Sequence, residues 1–476
     1  MSDTRTAVAA TATAPALEPI PARVWRVAGV VVFGAVMSML DTSLVNIGLN
    51  TIATDLGAAL DGAQWIASGY LLALAVTLPL CGWLGRRFGM DRVWLSALAG
   101  FTVTSGLCAL APNIGWLIGL RIAQGLAAGL LVPAGQTLIG QVAGPQRLGR
   151  VMSAVGIAVV AAPAIGPTIG GVMLANLDWE WLFLINIPFG LVAFVLARRV
   201  LPRAATADTQ GRFDTTGFAL IGVGLSALVY GLGEFGSRGS VSAPTVWVSV
   251  LVGALALGLF VMRSVRERGA NLLDVGLFRH PVFATANVAN FFAGASMFGS
   301  MLVLPLYFQV LHHEGLIATG LLLMSFGLGG IIAMPIGGRL TDRYGGGVVA
   351  VVGSAVTVAV TVPFALGDAS MNPVVIQALL LIRGMATGLT GMPIVAAAYA
   401  AVRPQQMPDA ASLVNILQRV GGSIGAALLA VVLYRAAAAG LPVDAGFRQA
   451  FWWLTAAAVV SLIASVLLWR KEIQPR

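Results

Sequence analysis

The sequence predicts an all-α integral membrane protein, and three observations carry that prediction. The first is composition. Of 476 residues, 58% are hydrophobic and only 10% charged, with a mean hydropathy of +0.90, against roughly 25% charged residues in an ordinary soluble domain. The second is the length of the apolar runs. They extend over about 20 residues, as helices crossing a hydrocarbon core do, and lack the period-two alternation over about 10 residues that marks barrel strands. The third is the placement of the cations. A net charge of +9 would point to nucleic acid in a soluble protein, but here Lys and Arg collect in alternate loops. With the N-terminus in the cytoplasm, cytoplasmic segments hold 22 of the 28 Lys and Arg residues. Three (Arg238, Arg435, Arg448) fall on the opposite side and three (Arg121, Arg383, Arg419) within spans. Both termini are therefore expected on the cytoplasmic side of an inner (plasma) membrane, with no nucleic-acid partner.

Spans of about 20 residues are expected near 25 to 48, 63 to 82, 92 to 111, 114 to 135, 149 to 173 and 181 to 200, then near 216 to 234 and 246 to 264. A last group lies near 282 to 307, 317 to 337, 347 to 366, 373 to 400, 410 to 437 and 449 to 470, fourteen in all. All eleven Trp residues fall near these ends, where interfacial anchors belong. Cys81 and Cys108 sit within or at the edge of spans, with neither a disulfide framework nor a metal spacing, and read as packing residues. Residues 1 to 20 are rich in Ala and Thr and lack the charged-then-apolar order of a cleaved signal. They read as a disordered cytoplasmic tail, with the first span as the uncleaved insertion signal.

A repeat organises the spans. GWLGRRFGMDR (82 to 92) and GGRLTDRYGGG (337 to 347) align through Gly82, Leu84, Arg87 and Gly89 with Gly338, Leu340, Arg343 and Gly345. Each copy follows the second span of a six-span block and precedes the third, which argues for two homologous halves, 21 to 200 and 280 to 476, the latter ending in a short tail. Residues 201 to 279 form a linker with two extra spans, entered through RRVLPRAATADTQGRFD and left through RSVRERGANLLD. The arrangement is six plus two plus six.

Several motifs then resemble one family across nearly the whole chain: the fourteen-helix drug:proton antiporters of the major facilitator superfamily, the EmrB/QacA subfamily. LDTSLVNIGL (40 to 49) resembles the first-helix motif and GWLGRRFG (82 to 89) the cytoplasmic loop motif. RIAQGLAAGLLVPAG (121 to 135) resembles the fourth-helix motif and GIAVVAAPAIGPTIGGV (156 to 172) the fifth-helix antiporter motif. ASLVNILQRVGGSIGAA (411 to 427) is typical of the thirteenth helix. The resemblance implies two pseudo-symmetric six-helix bundles around a central cavity and no cofactor.

Asp41 is the one acidic residue placed well inside a span. An ionised carboxylate at membrane depth costs several kcal/mol, so it is paired, faces a water-filled cavity or is protonated. At about 1.5 Å per residue, Asp41 lies roughly 15 Å below the outer boundary and Arg121 roughly 12 Å below it. A carboxylate with an Arg partner resists protonation, while a desolvated one without it takes up a proton readily, and proton coupling needs that contrast. The plainer alternatives are that Asp41 pins helices by hydrogen bonding and that Arg121 serves packing and pairing alone. The family resemblance implies proton coupling and substrate response for both.

In the fifth span Gly156, Pro163, Gly166, Pro167, Gly170 and Gly171 read as a hinge and seal, or as small-residue helix packing. The resemblance of this stretch to the antiporter motif implies export. The loop motif has Gly82, Gly85, Arg86, Arg87, Gly89 and Asp91, and its second copy Gly338, Asp342, Arg343 and Gly345. It departs from the family pattern at Arg86, where an acid is expected. An acid there pairs with Arg or caps a facing helix and stabilises the outward-open state, which a cation cannot do. Asp91 is a substitute, or the latch depends on Asp342. Arg86, Arg87 and Arg92 also serve as positive-inside signals.

Glu234, close to Tyr230 at the outer end of the seventh span, reads as a second titratable site or a solvated boundary residue. His280, His312 and His313 fall in loops, and His312, His313 and Glu314 lack a further ligand set, so no metal is expected. Arg383 and Arg419 are expected near cytoplasmic ends, within snorkelling reach. Polar and aromatic candidates for substrate contact are Asn46, Gln64, Tyr70, Gln136, Asn290, Phe291, Met297, Tyr307, Gln309 and Asn415. Apolar walls with Met residues and few polar groups suit varied amphipathic ligands. The chain is thus expected to be a monomeric proton-driven exporter of amphipathic compounds, cationic ones included, with membrane lipids around it. A dedicated exporter of one metabolite, antibiotic or lipid fits the same architecture, and a non-transporting sensor is the remaining alternative. An enzyme is not expected, because HExxH, a GxSxG with a usable His and a P-loop are absent.

Overall fold

The computed structural model describes residues 19–202, 213–238, 244–266, 272–367 and 372–474. Most of the expected N-terminal tail and the middle of the first linker lie outside the described residues. The chain runs through α1 (Ala22–Asp55), α2 (Leu60–Thr77), α3 (Leu80–Phe88), α4 (Met90–Cys108), α5 (Ile114–Ala143), α6 (Leu148–Asn176), α7 (Trp181–Leu184) and α8 (Asn186–Val200). It continues with α9 (Thr215–Arg238), α10 (Pro244–Arg266), α11 (Pro281–Leu306), α12 (Leu316–Tyr344), α13 (Gly346–Leu366), α14 (Pro373–Ala400), α15 (Met407–Ala438) and α16 (Val443–Ile473). Every expected span falls on a helix. Among the described residues ten helical segments are long and apolar enough to cross a membrane, or eleven when α2 and α3, bent by 56° at their break, count as one.

Close backbone approach builds each half the same way. In the first, Gly125 and Gly129 of α5 lie against the carbonyls of Tyr70 and Leu74 of α2; in the second, Gly384 and Gly388 of α14 lie against those of Phe326 and Gly330 of α12. The same four-residue spacing recurs because only a residue without Cβ lets two backbones meet so closely, and in lipid that contact replaces the hydrophobic drive. The intervening α9 and α10 form a hairpin, with α9 resting on both α2 and α15.

The apolar core is shared at one end and divided at the other. At the end carrying Val24, Met90 and Leu201, residues of the first half pack in one cluster with Leu272, Tyr399, Met407 and Leu468. At the far end Leu44, Ile52, Leu117 and Phe183 form one cluster, and Val303, Tyr307, Ile376 and Phe451 a separate one. The two halves are therefore joined at the end where the described chain begins and finishes, and part at the other.

Polar ties reinforce the joined end. Arg86 Nη1 donates to Asp409 Oδ2 at 2.5 Å and Nη2 to the Leu272 carbonyl at 3.4 Å. Asp342 accepts from Arg150 Nε at 2.5 Å and from the backbone N–H of Gly149, at the start of α6, at 2.8 Å. Gln136 Oε1 accepts from Tyr399 Oη at 2.8 Å and Asn415 Nδ2 at 2.6 Å. Two expectations are corrected here. The loop motif is helical, as α3 and as the last turns of α12, and the reversals come only at Gly89 (φ 88°) and Gly345 (φ 92°). Arg86 is also not left without an acid, because Asp409 on the opposite half pairs with it across the joined end. A side chain at Gly82 would overlap that carboxylate.

The Trp residues divide. Trp25, Trp65, Trp116, Trp181 and Trp247 are exposed, but Trp94 is fully buried. It packs against Gly34, where an added Cβ would lie 2.7 Å from the ring. Trp94 is a packing residue, unlike the interfacial anchors.

Two outcomes follow. Gly89→Ala forces an L side chain into a left-handed backbone and lowers stability by about 1 kcal/mol. Gly29→Ala, on an exposed helical face with open space around it, leaves the protein equally stable or firmer. Thermal unfolding in detergent reads both, and equal shifts would refute the backbone argument. Arg86→Asp sets two carboxylates together and loosens the joined end, and adding Asp409→Arg restores it. Distances between spin labels across that end measure the effect, and a double variant as open as the single one would rule the latch out.

Candidate functional site

Asp41 lies on the face of α1 that also buries Ser38, Leu44 and Val45, the i−3, i+3 and i+4 neighbours that one helical stripe presents inward. On α5, Arg121 and Gln124 stand one turn apart and share a face in the same way. Asn186 opens α8. These three helices bring together one hydrogen-bonded cluster. Arg121 Nη1 donates to Asp41 Oδ2 at 2.5 Å and to Gln124 Oε1 at 2.7 Å, while Nε donates to the Ile66 carbonyl of α2 at 3.3 Å. Asp41 Oδ1 accepts from Gln124 Nε2 at 3.1 Å and from Asn186 Nδ2 at 3.0 Å. Asn186 also reaches Ser105 Oγ at 3.0 Å, which donates to the Phe183 carbonyl at 2.9 Å.

The charges are out of water, Asp41 at 0% exposure and Arg121 at 1%. Removing two ions from water costs several kcal/mol each, and their attraction offsets this only with good geometry and satisfied lone pairs. The three bonds to Asp41 meet that condition. On its open face the guanidinium stacks over the Tyr70 ring, 4.1 Å from carbon to centroid, a contact that strengthens as it is desolvated. Tyr70 Oη lies 3.1 Å from Ser38 Oγ.

The sequence profile of the Major Facilitator Superfamily matches residues 31–426. The chain belongs to this superfamily. Its multi-pass helical fold is that of membrane transporters rather than enzymes. It is 36% identical over 410 residues to the multidrug resistance protein B homolog of Mycobacterium tuberculosis, covering 86% of this chain and 76% of that one. It is also 27% identical over 468 residues to the lincomycin resistance protein LmrB of Listeria monocytogenes, covering 95% and 97%. Among solved structures, the proton:xylose symporter XylE superposes with a TM-score of 0.65 at 12% identity, covering 94% of this chain and 95% of that one. The human organic anion transporter MFSD10 superposes at 0.64 and 16%, covering 94% and 100%. At such identities the structures speak for the fold alone.

In this superfamily member the other candidates scatter. A cavity of about 320 Å³ opens between α2, α9, α11 and α15, walled by Leu71, Leu78, Leu225, Phe298 and Val420, with Arg419 as its charge. Arg419 therefore faces a cavity instead of snorkelling. Arg383 is likewise corrected: it is 2% exposed, well inside α14 and away from either end. Asn46 and Gln64 are exposed and Gln309 half-buried. Gln136 and Asn415 bond each other across the joined end. Asn290 donates to the Val414 carbonyl at 2.9 Å, and Phe291 packs edge-on to Phe292. Tyr307 lies in an aromatic cluster with Phe364, Phe447 and Phe451.

Among the motif residues, Gly156 approaches Met392 and Met334. Gly166 meets Ser43, Gly170 meets Leu44 and Gly171 faces open space. Gly85 abuts Met90, and Gly338 lies against Gly149 and Ser153. Arg87 lies near the rings of Trp83 and Phe88, Arg343 over Tyr344, and Asp91 is buried in the first turn of α4. The side chains of Glu234, Pro163 and Pro167 lie outside the described residues. Burial pushes the His312 imidazole below its ordinary pKa, against the Tyr307 ring at 4.8 Å. Sequence reasoning missed Gln124, Asn186 and Ser105, whose only signal is a polar side chain inside an apolar run.

Arg121→Ala strands a buried carboxylate and costs about 3–5 kcal/mol. Adding Asp41→Ala recovers part of that loss, and a double-mutant cycle in detergent gives a coupling of about 1 kcal/mol or more. Additive losses would mean that the two ions do not support each other.

Proposed function

We propose that this chain is a proton-coupled antiporter that exports amphipathic drugs, cationic ones included, across the inner membrane by alternating access. The observation carrying the reading is the fully buried Asp41–Arg121 pair with its amide partners, in a chain whose relatives are named for multidrug and lincomycin resistance. The helices fit fourteen crossings in a six plus two plus six order, with both termini cytoplasmic. On that orientation the joined end is cytoplasmic and the parted end faces outward, so the described arrangement is the outward-facing one.

In this state Arg121 occupies Asp41. Rocking of the halves about the site would open the Arg86–Asp409 and Arg150–Asp342 latches and shift α1 against α5. For this to couple, Asp41 gains a proton from the outer side as it loses Arg121 before the latches open, and once they are open the proton leaves to the cytoplasm as substrate enters from that side. The apolar cavity between α2, α9, α11 and α15 has a volume within the small-molecule range of about 300–1,000 Å³, and is the candidate substrate chamber. The stack of Tyr70 on Arg121 joins α2, which walls this cavity, to the proton site, and so gives substrate a route to influence the pair.

Proteoliposomes with an imposed pH gradient test this reading. Several unrelated dyes are expected to dissipate the gradient through the wild type, and Asp41→Asn to reduce that flux to the level of protein-free liposomes. Equal fluxes through both would remove Asp41 from coupling and make Glu234 the next carboxylate to replace.

A further inference from the structure

The second half contains a buried charge that the proposed cycle does not use. Arg383 is 2% exposed. Nη1 donates to Thr361 Oγ1, and Nη2 to Ser300 Oγ at 2.5 Å. Both hydroxyls give their own protons to carbonyls one turn back, Ser300 to Ser296 at 2.5 Å and Thr361 to Thr357 at 2.6 Å. They act as acceptors and bring no negative charge. Among the described residues no carboxylate forms an ion pair with Arg383, and none lines the cavity onto which it opens. A guanidinium has five N–H donors and cannot shed its charge. Left unpaired at this depth, that charge costs several kcal/mol.

The repeat shows where an acid is missing. Ser38, Met39, Leu44 and Val45 of α1 recur in the same order and spacing as Ser296, Met297, Leu302 and Val303 of α11. In that register Asp41 corresponds to Gly299 and Thr42 to Ser300. The fourth helical rod of each half thus carries a buried arginine, but only the first half supplies its carboxylate. At Gly299 an acid would have to displace Leu429 and Leu454, whose methyl groups lie 2.5 Å and 3.0 Å from an added Cβ.

The cavity beside Arg383 has a volume of about 40 Å³, room for two or three water-sized species at about 10–15 Å³ each. Ser354 of α13 lines the same cavity. It is 1% exposed, and its Oγ has no hydrogen-bond partner among the described residues. A free hydroxyl donor and an uncompensated cation therefore border one small chamber. Water would meet the hydrogen bonds and leave the charge.

We infer that the C-terminal half holds a binding site for a compact monovalent anion, bound by Arg383 and Ser354 in the chamber bordered by Ser300. The size fits a chloride ion or a single carboxylate group, and excludes the body of an amphipathic drug. The site completes in the second half, with an ion from outside the chain, the charge neutrality that Asp41 gives the first.

Equilibrium binding of radiolabelled chloride to the purified full-length protein tests this, with a bulky sulfonate buffer anion, which carries no carboxylate, holding ionic strength constant. The wild type is expected to show a saturable component, reduced at least about tenfold by Arg383→Gln, as loss of a charge-assisted contact requires. Because Arg383→Gln removes a core side chain, Ser300→Asp is the second variant. It keeps the arginine and sets a carboxylate beside it, and is expected to abolish binding while the protein elutes as the wild type does. Unlabelled acetate competing better than unlabelled chloride assigns the site to a carboxylate group; the reverse order assigns it to the free halide; either supports it. Binding that survives either substitution, or no saturable component in the wild type, overturns the site. The readout involves no transport, so its failure leaves the export reading untouched, and a failed proton assay leaves this one standing.

Discussion

A carboxylate and a guanidinium held out of water must be held by something else, and much of the first half is arranged to do so. Asp41 needs three donors and receives them from α5 and α8. Arg121 needs a carbonyl and a ring face and receives both from α2. Those α2 contacts exist because Gly125 and Gly129, one and two turns beyond Arg121, let α2 approach to backbone contact. The small-residue stripe and the charge pair are thus one design: the first sets the helix separation and the second depends on it. Any motion that parts Asp41 from Arg121 must also slide α1 on α5, so the ion pair and the helix packing change together.

The two halves repeat the packing without repeating the chemistry. Gly384 and Gly388 set α14 on α12 as Gly125 and Gly129 set α5 on α2, yet among the described residues only Arg121, and not Arg383, has a carboxylate partner. Division of the far-end core into separate clusters means that neither half needs the other to bury its apolar side chains there. In the proposed cycle, the shared cluster and the polar ties at the joined end carry the contacts that break and re-form as the halves rock.

What was legible in the sequence follows from contrast. Asp41 stands out because an ionised carboxylate in an apolar run is costly at membrane depth, and counting residues from the expected boundary placed Arg121 at its depth. Gln124 and Asn186 are equally bound into the site but are amides, which an apolar run tolerates without comment. Arg383 reads as a residue within snorkelling reach although its span is expected at the bounds α14 takes, Pro373–Ala400; ten residues from the nearer end place it about 15 Å deep, too far inside to snorkel. The motif GWLGRRFG reads as a loop from its glycines, whose helix propensity is poor. Packing of α3 against α4 and α15 overrides that preference, and Arg86 and Arg87 in its last turn suit the negative end of the helix dipole. Trp94 has an anchor's position in sequence and a core residue's surroundings, which position alone does not separate.

Arg86 shows how a motif can invert its charge and keep its energetics. A carboxylate in such a latch acts in two ways: it pairs with a cation, and it sits where a helix N-terminus is positive. Asp342 does both, pairing with Arg150 and accepting from the first N–H groups of α6. With Arg86 in the first copy, the pair survives simple exchange of sign, but the dipole contribution would be lost if the acid had moved to an arbitrary place. It has not. Asp409 lies in the first turn of α15, so the carboxylate still stands at a helix N-terminus, now its own. The ion pair is indifferent to which half holds which charge, whereas the dipole fixes the acid to a helix start, and Arg86 with Asp409 meets both conditions.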